Sequence, residues 1–264
     1  MITSTSSSQV KHVVNLQKKA KLRKEEKQFV VEGVKMVSEA PADRLVKVYV
    51  SETFKADNEE FLERMNYDSI GKDVLEIVTD NVFMRMADTQ TPQGIMAVVR
   101  MTDTDLEGIL SDKHNPLLLI IENLQDPGNL GTIVRMAEGA GVTGIIMSSN
   151  TVDIYNPKTI RSTMGSLYRV PVIYVDDICE AADVCKSKGV TVYAAHLNGT
   201  DNYNKKDYTN PTAFMIGNEG NGLTDKLADK ADEYVRIPMQ GEVESLNAAI
   251  ACIITGRNVS KLSF

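Results

Sequence analysis

Three stretches of this 264-residue chain set arginine, carboxylate and amide side chains beside glycines just after apolar runs. The first is Asn123-Leu124-Gln125-Asp126-Pro127-Gly128-Asn129-Leu130-Gly131-Thr132-Ile133-Val134-Arg135. Asp126-Pro127-Gly128 makes a turn, and Asn129 is the expected N-cap of the helix that follows. Leu130, Ile133, Val134 and Ala137 recur at i, i+3, i+4 and i+7, which leaves Arg135 off the apolar stripe. Its guanidinium is then free to reach across strand ends, where open α/β sheets bind ligands. Standing alone, this loop reads equally well as a cap followed by a solvated arginine. The second stretch, Gly217-Asn218-Glu219-Gly220-Asn221-Gly222-Leu223, holds three glycines that let a backbone approach a ligand or another chain closely. A carboxylate between them is oddly placed unless it pairs with a cation or binds a hydroxyl. The third, Ile237-Pro238-Met239-Gln240-Gly241-Glu242-Val243-Glu244-Ser245-Leu246-Asn247, again runs strand, loop, helix. It places Ser245 and Asn247 at a helix N-terminus with free N–H groups beside them.

Other chemistries lose their support on the same residues. Gly139-Ala140-Gly141-Val142-Thr143-Gly144 is a literal GxGxxG, but it follows a helix and leads into a strand, the reverse of a dinucleotide-binding turn. Gly139 and Gly141 read instead as a helix end and a left-handed turn. There is no GxxxxGK[ST] and no GxSxG. Three cysteines and three histidines are scattered without metal-ligand spacing, so neither a disulfide framework nor a metal site is expected. Ser245 has no histidine placed to activate it as a nucleophile.

The elements that must position these loops form two α/β units. In the first, a helical pattern over 10–28 precedes strands at 29–31, 45–50, 74–78 and 95–100, with helices at 34–40, 58–66 and 81–87. Residues 1–105 are assigned to it and the polar residues 106–114 to a linker. In the second, residues 115–264, the run Pro116 to Ile121 is the kind of strand buried on both faces. Strands at 145–147, 170–175, 190–195, 213–216 and 235–237 follow, with helices at 130–139, 157–167, 177–187, 222–231 and 245–256. Such alternation predicts a parallel or mixed sheet covered on both sides.

The net charge is −7, with 42% hydrophobic and 25% charged residues. Residues 1–28 nonetheless carry Lys11, Lys18, Lys19, Lys21, Arg23, Lys24 and Lys27 against Glu25 and Glu26, a local +5 on a body of −12. Screening confines interactions to roughly 8–10 Å, so such a patch still meets phosphates; on charge alone it is equally a solvated helix face. Strictly apolar runs such as Leu117 to Ile121 are far short of the ~20 residues of a spanning helix. MITSTSSSQVKH has no apolar leader. A cytoplasmic setting is expected.

DPxNxGxxxR at 126–135, GNEGxGL at 217–223 and IPMxGxxxSLN at 237–247 resemble, in order and spacing, the signature motifs of the SpoU (TrmH-type) family of the SPOUT superfamily. These are AdoMet-dependent RNA ribose 2′-O-methyltransferases. Asn156-Pro157 and Arg161-Ser162-Thr163-Met164-Gly165-Ser166 resemble the stretch between motifs. Phe29-Val30-Val31-Glu32-Gly33 and Thr91-Pro92-Gln93-Gly94 resemble motifs of the family's amino-terminal substrate-binding domain. The resemblance implies a small α/β/α ribosomal-protein-like RNA-binding domain followed by a SPOUT α/β domain with a C-terminal trefoil knot. It implies a homodimer without a metal, and S-adenosyl-L-methionine held by Leu197, Gly217, Ile237, Met239 and Leu246. Arg135 is the implied catalytic side chain, with Glu219 pairing with or orienting it. Asn129, Ser245 and Asn247 would fix loop geometry and hydrogen-bond Arg135 or the substrate. Arg161 and the basic helix, with Lys18, Lys19 and Arg23, are the expected RNA contacts. The extra amino-terminal domain favours ribosomal RNA, the 23S species, over the alternative of tRNA. A non-catalytic RNA- or AdoMet-binding assembly factor is the alternative of a different class, and the intact motif residues argue against it.

Overall fold

A computed structural model describes residues 1–67, 70–71, 73–111, 115–195, 201–202 and 206–236. The expectations for Leu197, Ile237, Met239, Ser245, Leu246 and Asn247, for helix 245–256 and for the knot lie outside the described residues. Two compact units form, Met1–Thr102 with Asp153–Tyr168, and Asp103–Val152 with residues from Arg169 onward.

The first unit runs α1 (Ser8–Lys18), α2 (Ala20–Glu26), β1 (Gln28–Glu32), α3 (Val34–Ser38), β2 (Leu45–Ser51), α4 (Glu52–Asp57), α5 (Glu59–Met65), β3 (Leu75–Val78), α6 (Asp80–Met86) and β4 (Ile95–Arg100). The strands lie in the order β1-β4-β2-β3, with β4 antiparallel to both its neighbours and β2 parallel to β3. Val10, Val13 and Leu16 of α1 are buried with Tyr49, Val82 and Met96. The single helix expected over 10–28 is broken at Lys19, whose backbone is extended. Arg23 explains the corner. It is buried, donates from Nη1 to the carbonyls of Leu16 and Gln17 at 2.7 and 2.9 Å, and pairs with Asp153. It therefore satisfies carbonyls that the end of α1 leaves open. The expectation that Arg23 contacts RNA is corrected: its charge is consumed inside the unit.

The second unit runs α7 (Leu106–Ser111), β5 (Leu117–Ile121), α8 (Pro127–Gly139) and β6 (Gly144–Ser148). The chain then crosses back through α9 (Pro157–Thr163), and continues with β7 (Val172–Val175), α10 (Ile178–Ser187), β8 (Thr191–Ala195), β9 (Asp201–Asn202), β10 (Thr212–Ile216), α11 (Asp225–Ala228) and β11 (Glu233–Arg236). Its seven-stranded sheet, β7-β6-β5-β10-β8-β11-β9, is parallel throughout. The residues expected as a linker instead supply α7, whose Ile109 is buried in the core with Leu118 and Ile146. A Cβ on Gly144 would stand 2.5 Å from the Ile109 side chain, so the last glycine of the GxGxxG decoy serves helix-to-sheet packing. α8 ends at Gly139 and Gly141 has φ +75°, the turn the sequence predicts.

Residues 153–168 also depart from expectation, because they pack with the first unit. Tyr155 stacks at 4.6 Å on Phe29, and Tyr168 donates its hydroxyl to the Met36 carbonyl at 2.8 Å. Arg161 pairs with Asp88 at 2.5 Å.

Candidate active site

The first two signature loops meet because their strands are neighbours. β5 and β10 pair in parallel with Ile121 opposite Ile216, and the Glu122 N–H extends the ladder to the Ile216 carbonyl at 2.9 Å. Both chains thus leave the same edge of the sheet side by side, at the carboxyl ends where such sheets bind ligands. α8 begins at Pro127, and Asp126 caps it, accepting from the Asn129 N–H at 2.8 Å. The expected cap, Asn129, is instead in the first turn. Its side chain is turned to the second loop, where Nδ2 donates to Glu219 at 3.2 Å. Glu219 also accepts from the backbone N–H groups of Gln125 and Asp126 at 3.2 and 3.1 Å. Beside it, Asn218 Nδ2 donates to the Asn123 carbonyl at 2.8 Å, and its Oδ1 accepts from the N–H groups of Gly220 and Asn221.

The glycines of the second loop serve a close approach of chain to chain. A Cβ on Gly217 would lie 2.1 Å from the carbonyl carbon of Gly222, and Gly222 itself has φ +69°. Gly217 and Asn218 are half-buried, whereas Gly220, Asn221 and Gly222 are exposed. On the other side of β5, Ser148 at the end of β6 accepts from the Asn123 N–H at 2.9 Å and donates to Asn123 Oδ1 at 3.2 Å. This fixes Asn123 in its left-handed conformation, φ +54°.

Burial pushes the Glu219 carboxyl up, but hydrogen bonds from its own N–H and from Asp126, Asn129 and Gln125 outweigh that and hold it below the usual glutamate range. A group depressed in this way stabilises the fold above its ordinary pKa, and the contribution is lost as pH falls through the lowered value. Among the described residues Glu219 forms no ion pair with Arg135. Of the two expected roles, pairing with Arg135 or orienting it, the one compatible with these contacts is the second, since the carboxylate holds the backbone of the loop that starts α8. Arg135 is exposed on α8, one turn after the buried Gly131, with no hydrogen bond or ion pair among the described residues. The structure therefore brings Asn129, Glu219 and Gly217 together at one sheet edge, with Arg135 on the helix that starts there.

Lys18 and Lys19 are exposed in the first unit, while Arg161 is half-exposed and engaged by Asp88. Among the described residues no group of three histidine, cysteine or acidic side chains stands as a metal site, and no helix is long and apolar enough to cross a membrane. Sequence reasoning missed Ser148, Asn218 and the buried Glu122. The signal for Glu122 was its place: a carboxylate directly ending a strand buried on both faces must find donors.

Residues 116–256 match the model of the SpoU rRNA Methylase family, and residues 7–97 match that of the MRM3-like substrate binding domain. The chain belongs to the SpoU rRNA methylase family. It is similar to the 23S rRNA (guanosine(2553)-2′-O)-methyltransferase RlmP of Bacillus subtilis, 34% identical over 67% of this chain and 69% of that protein. It is also similar to an uncharacterized tRNA/rRNA methyltransferase of Synechocystis, 32% identical over 95% of this chain and 89% of that one. Among solved structures, the AdoMet-bound rRNA methyltransferase from Sinorhizobium meliloti superposes with a TM-score of 0.83 at 28% identity, over 99% and 98% of the two chains. The SpoU methyltransferase AviRb from Streptomyces viridochromogenes does so at 0.79 and 27%, over 94% of each. This SpoU member is thus a methyltransferase by family, with its first two motif loops interlocked at one edge of a parallel sheet.

Proposed function

We propose that this methyltransferase transfers a methyl group from AdoMet to a ribose 2′-hydroxyl of 23S ribosomal RNA. The observation that carries the reading is the meeting of the first two motif loops at the carboxyl ends of β5 and β10, where Glu219 is stitched into the loop that launches the Arg135 helix. The named relative with 23S rRNA activity and the AdoMet-bound neighbour supply the substrate and the cofactor.

The described part of the site suits AdoMet. Gly217, half-buried and without a side chain, directly follows β10, and the loop beyond it presents exposed backbone. The Glu219 carboxylate, kept ionised by its hydrogen bonds, is a compatible neighbour for a cation. Leu197, Ile237, Met239 and Leu246 are proposed to complete the cofactor's surroundings. When bound, AdoMet supplies an electrophilic methyl on a sulfonium.

The residues of the chain then have to orient a weak nucleophile. Arg135 is proposed to hold the phosphate beside the reacting ribose and to stabilise the alkoxide as the hydroxyl proton passes to solvent water. The methyl acceptor is then the ribose oxygen, and the leaving group is the neutral thioether of the spent donor. It is not the base, since a guanidinium keeps its proton to beyond about pH 12. Asn129 and Glu219 set the start of α8, and so the direction in which Arg135 projects. Ser245 and Asn247 are proposed to complete the loop geometry, and Lys18, Lys19 and Arg161 to meet RNA phosphates. We propose further that the enzyme acts in the cytoplasm as a homodimer with a knotted carboxyl end and without a metal.

The test is methyl transfer from radiolabelled AdoMet to ribosomal RNA and to tRNA in parallel, followed by mapping of the 2′-O-methyl group. Label in a 23S ribose, undiminished by chelator, is expected. Label confined to tRNA would overturn the substrate, and no label in either RNA, with AdoMet binding intact, would overturn the catalytic reading.

A further inference from the structure

Glu122 stands outside all three motifs, yet its carboxylate is buried at 6% exposure and is fully used. Oε2 accepts from the Thr224 N–H and Oε1 from the Thr224 hydroxyl, both at 2.8 Å. Thr224 ends the second motif loop and caps α11, its Oγ1 accepting from the Leu227 N–H at 3.3 Å. The loop is therefore held at its far end by a side chain from β5's edge. At its middle, Glu219 reaches the other way to the Gln125 and Asp126 N–H groups. Each loop thus receives a carboxylate from the other's strand, and the two straps close a ring through Gly217.

We propose that Glu122 is a positioning residue for methyl transfer: by holding Thr224 it fixes the register of loop 217–224 against loop 123–126 and so shapes the AdoMet site at Gly217. The last step rests on the AdoMet reading above; the coupling of the two loops does not. The carboxylate is buried while Thr224 is exposed, so losing it releases the Thr224 N–H and hydroxyl to water and frees the loop's end from β5. Glutamine can replace it geometrically, with Oε1 accepting from the Thr224 N–H and Nε2 donating to the Thr224 hydroxyl oxygen. Its function is therefore geometric, and charge is dispensable.

Two readouts test this on the full chain. Amide hydrogen exchange without any ligand reads the coupling: Glu122→Ala should speed exchange about tenfold or more at 218–224 and also at Gln125 and Asp126, which Glu122 does not touch. Glu122→Gln should restore both to within about threefold. Steady-state methylation reads the consequence: the alanine variant should raise KM for AdoMet about tenfold, with KM for RNA unchanged, and glutamine should recover it. Thr224→Val, which keeps the N–H but loses the hydroxyl, should move both readouts in the same direction by less, and it serves if the alanine variant does not fold. Unchanged exchange at Gln125 and Asp126 in alanine and valine variants overturns the coupling. Altered exchange with unaltered AdoMet KM overturns the assignment to the cofactor site. A wild-type protein that binds no AdoMet in calorimetry overturns the reading of the site and leaves the exchange prediction to stand or fall alone.

Discussion

Arg23 and Arg135 are both helix arginines beside a functional region, and the structure treats them in opposite ways. Arg23 lies inside the first unit, with its charge divided between two helix carbonyls and Asp153. Arg135 lies on the outer face of α8, with no described partner. The difference lies in what each helix face meets. Arg23 lies on α2, beyond the break at Lys19, and is folded back onto the end of α1; Arg135 is two residues after the buried Ile133 on one unbroken helix, so it is turned away. An arginine on the inward face must be paired to be tolerated, and one on the outward face keeps its donors for something else. Charge counted along a sequence cannot distinguish the two; the apolar period placed Arg135 outward on α8, whereas the break at Lys19 turned Arg23 inward.

The sharpest way to break this contrast is to exchange the expected phenotypes. Arg23→Met should have the largest effect of any single substitution. It strands Asp153 and two helix carbonyls, and breaking a buried pair costs about 3–5 kcal/mol. A denaturant titration should show that loss. If stability is preserved while RNA affinity falls, the buried pair is not what Arg23 contributes. Arg135→Lys should do the reverse and leave stability unchanged. It keeps a charge but loses the planar fork that can hold a phosphate and a ribose oxygen together. Single-turnover methyl transfer should fall a hundredfold or more, about 2.7 kcal/mol in barrier, with AdoMet affinity unaltered. Near-native transfer by the lysine variant would remove Arg135 from the centre of the mechanism.

Glu219 gives the next smaller effect. Glu219→Gln exchanges charge-assisted hydrogen bonds for neutral ones and turns an amide donor toward N–H groups, a loss of about 1–2 kcal/mol. Transfer should drop about tenfold. Because the wild-type carboxyl is held below the usual range, its contribution should persist through neutral pH and fade only as pH falls through that lowered value. The acid-side decline in AdoMet affinity should be absent from the glutamine variant. A decline that begins near neutrality in both proteins would assign it to another group.

Much of this was legible in the residues. The alternation of apolar runs placed the two sheets, because a strand buried on both faces, such as Leu117–Ile121, leaves a long mark. Glycine at 217 implied a close approach, and the approach is to Gly222. What stayed hidden was which surface each segment covers. The helix pattern at 157–163 is the same whether it packs on one sheet or the other, and it packs with the first unit. Deleting residues 1–105 would therefore strip the partner from α9 as well, so point variants divide the units' contributions more cleanly. The cap was misplaced for a local reason. Asp126-Pro127 can be the start of a turn or an N-cap with proline at N1, and Asn129, also a good cap, competed with it. Residues 106–114 looked polar enough for a linker, yet Ile109, with Leu106 and Leu110 packed beside it, docks α7 in the core.

The smallest effect belongs to the lysines that the corner at Lys19 leaves outside. Lys18 ends α1 and Lys19 forms the break, and both are exposed, on the side of the contrast where charge is not consumed. If they meet RNA phosphates, each releases condensed counterions on binding, which lowers the slope of log affinity against log salt by roughly 0.7–0.9 per contact. Lys18→Ala and Lys19→Ala should then each weaken RNA binding less than about threefold at moderate salt. The slope should flatten by about one unit for each lysine, and the loss should be equal for ribosomal RNA and for an unrelated RNA, because phosphate contacts carry no sequence information. Filter binding across a salt series separates this from the solvated-face reading. An unchanged slope in the double variant would mean that these lysines only face water, and that the recognition surface of the first unit lies elsewhere.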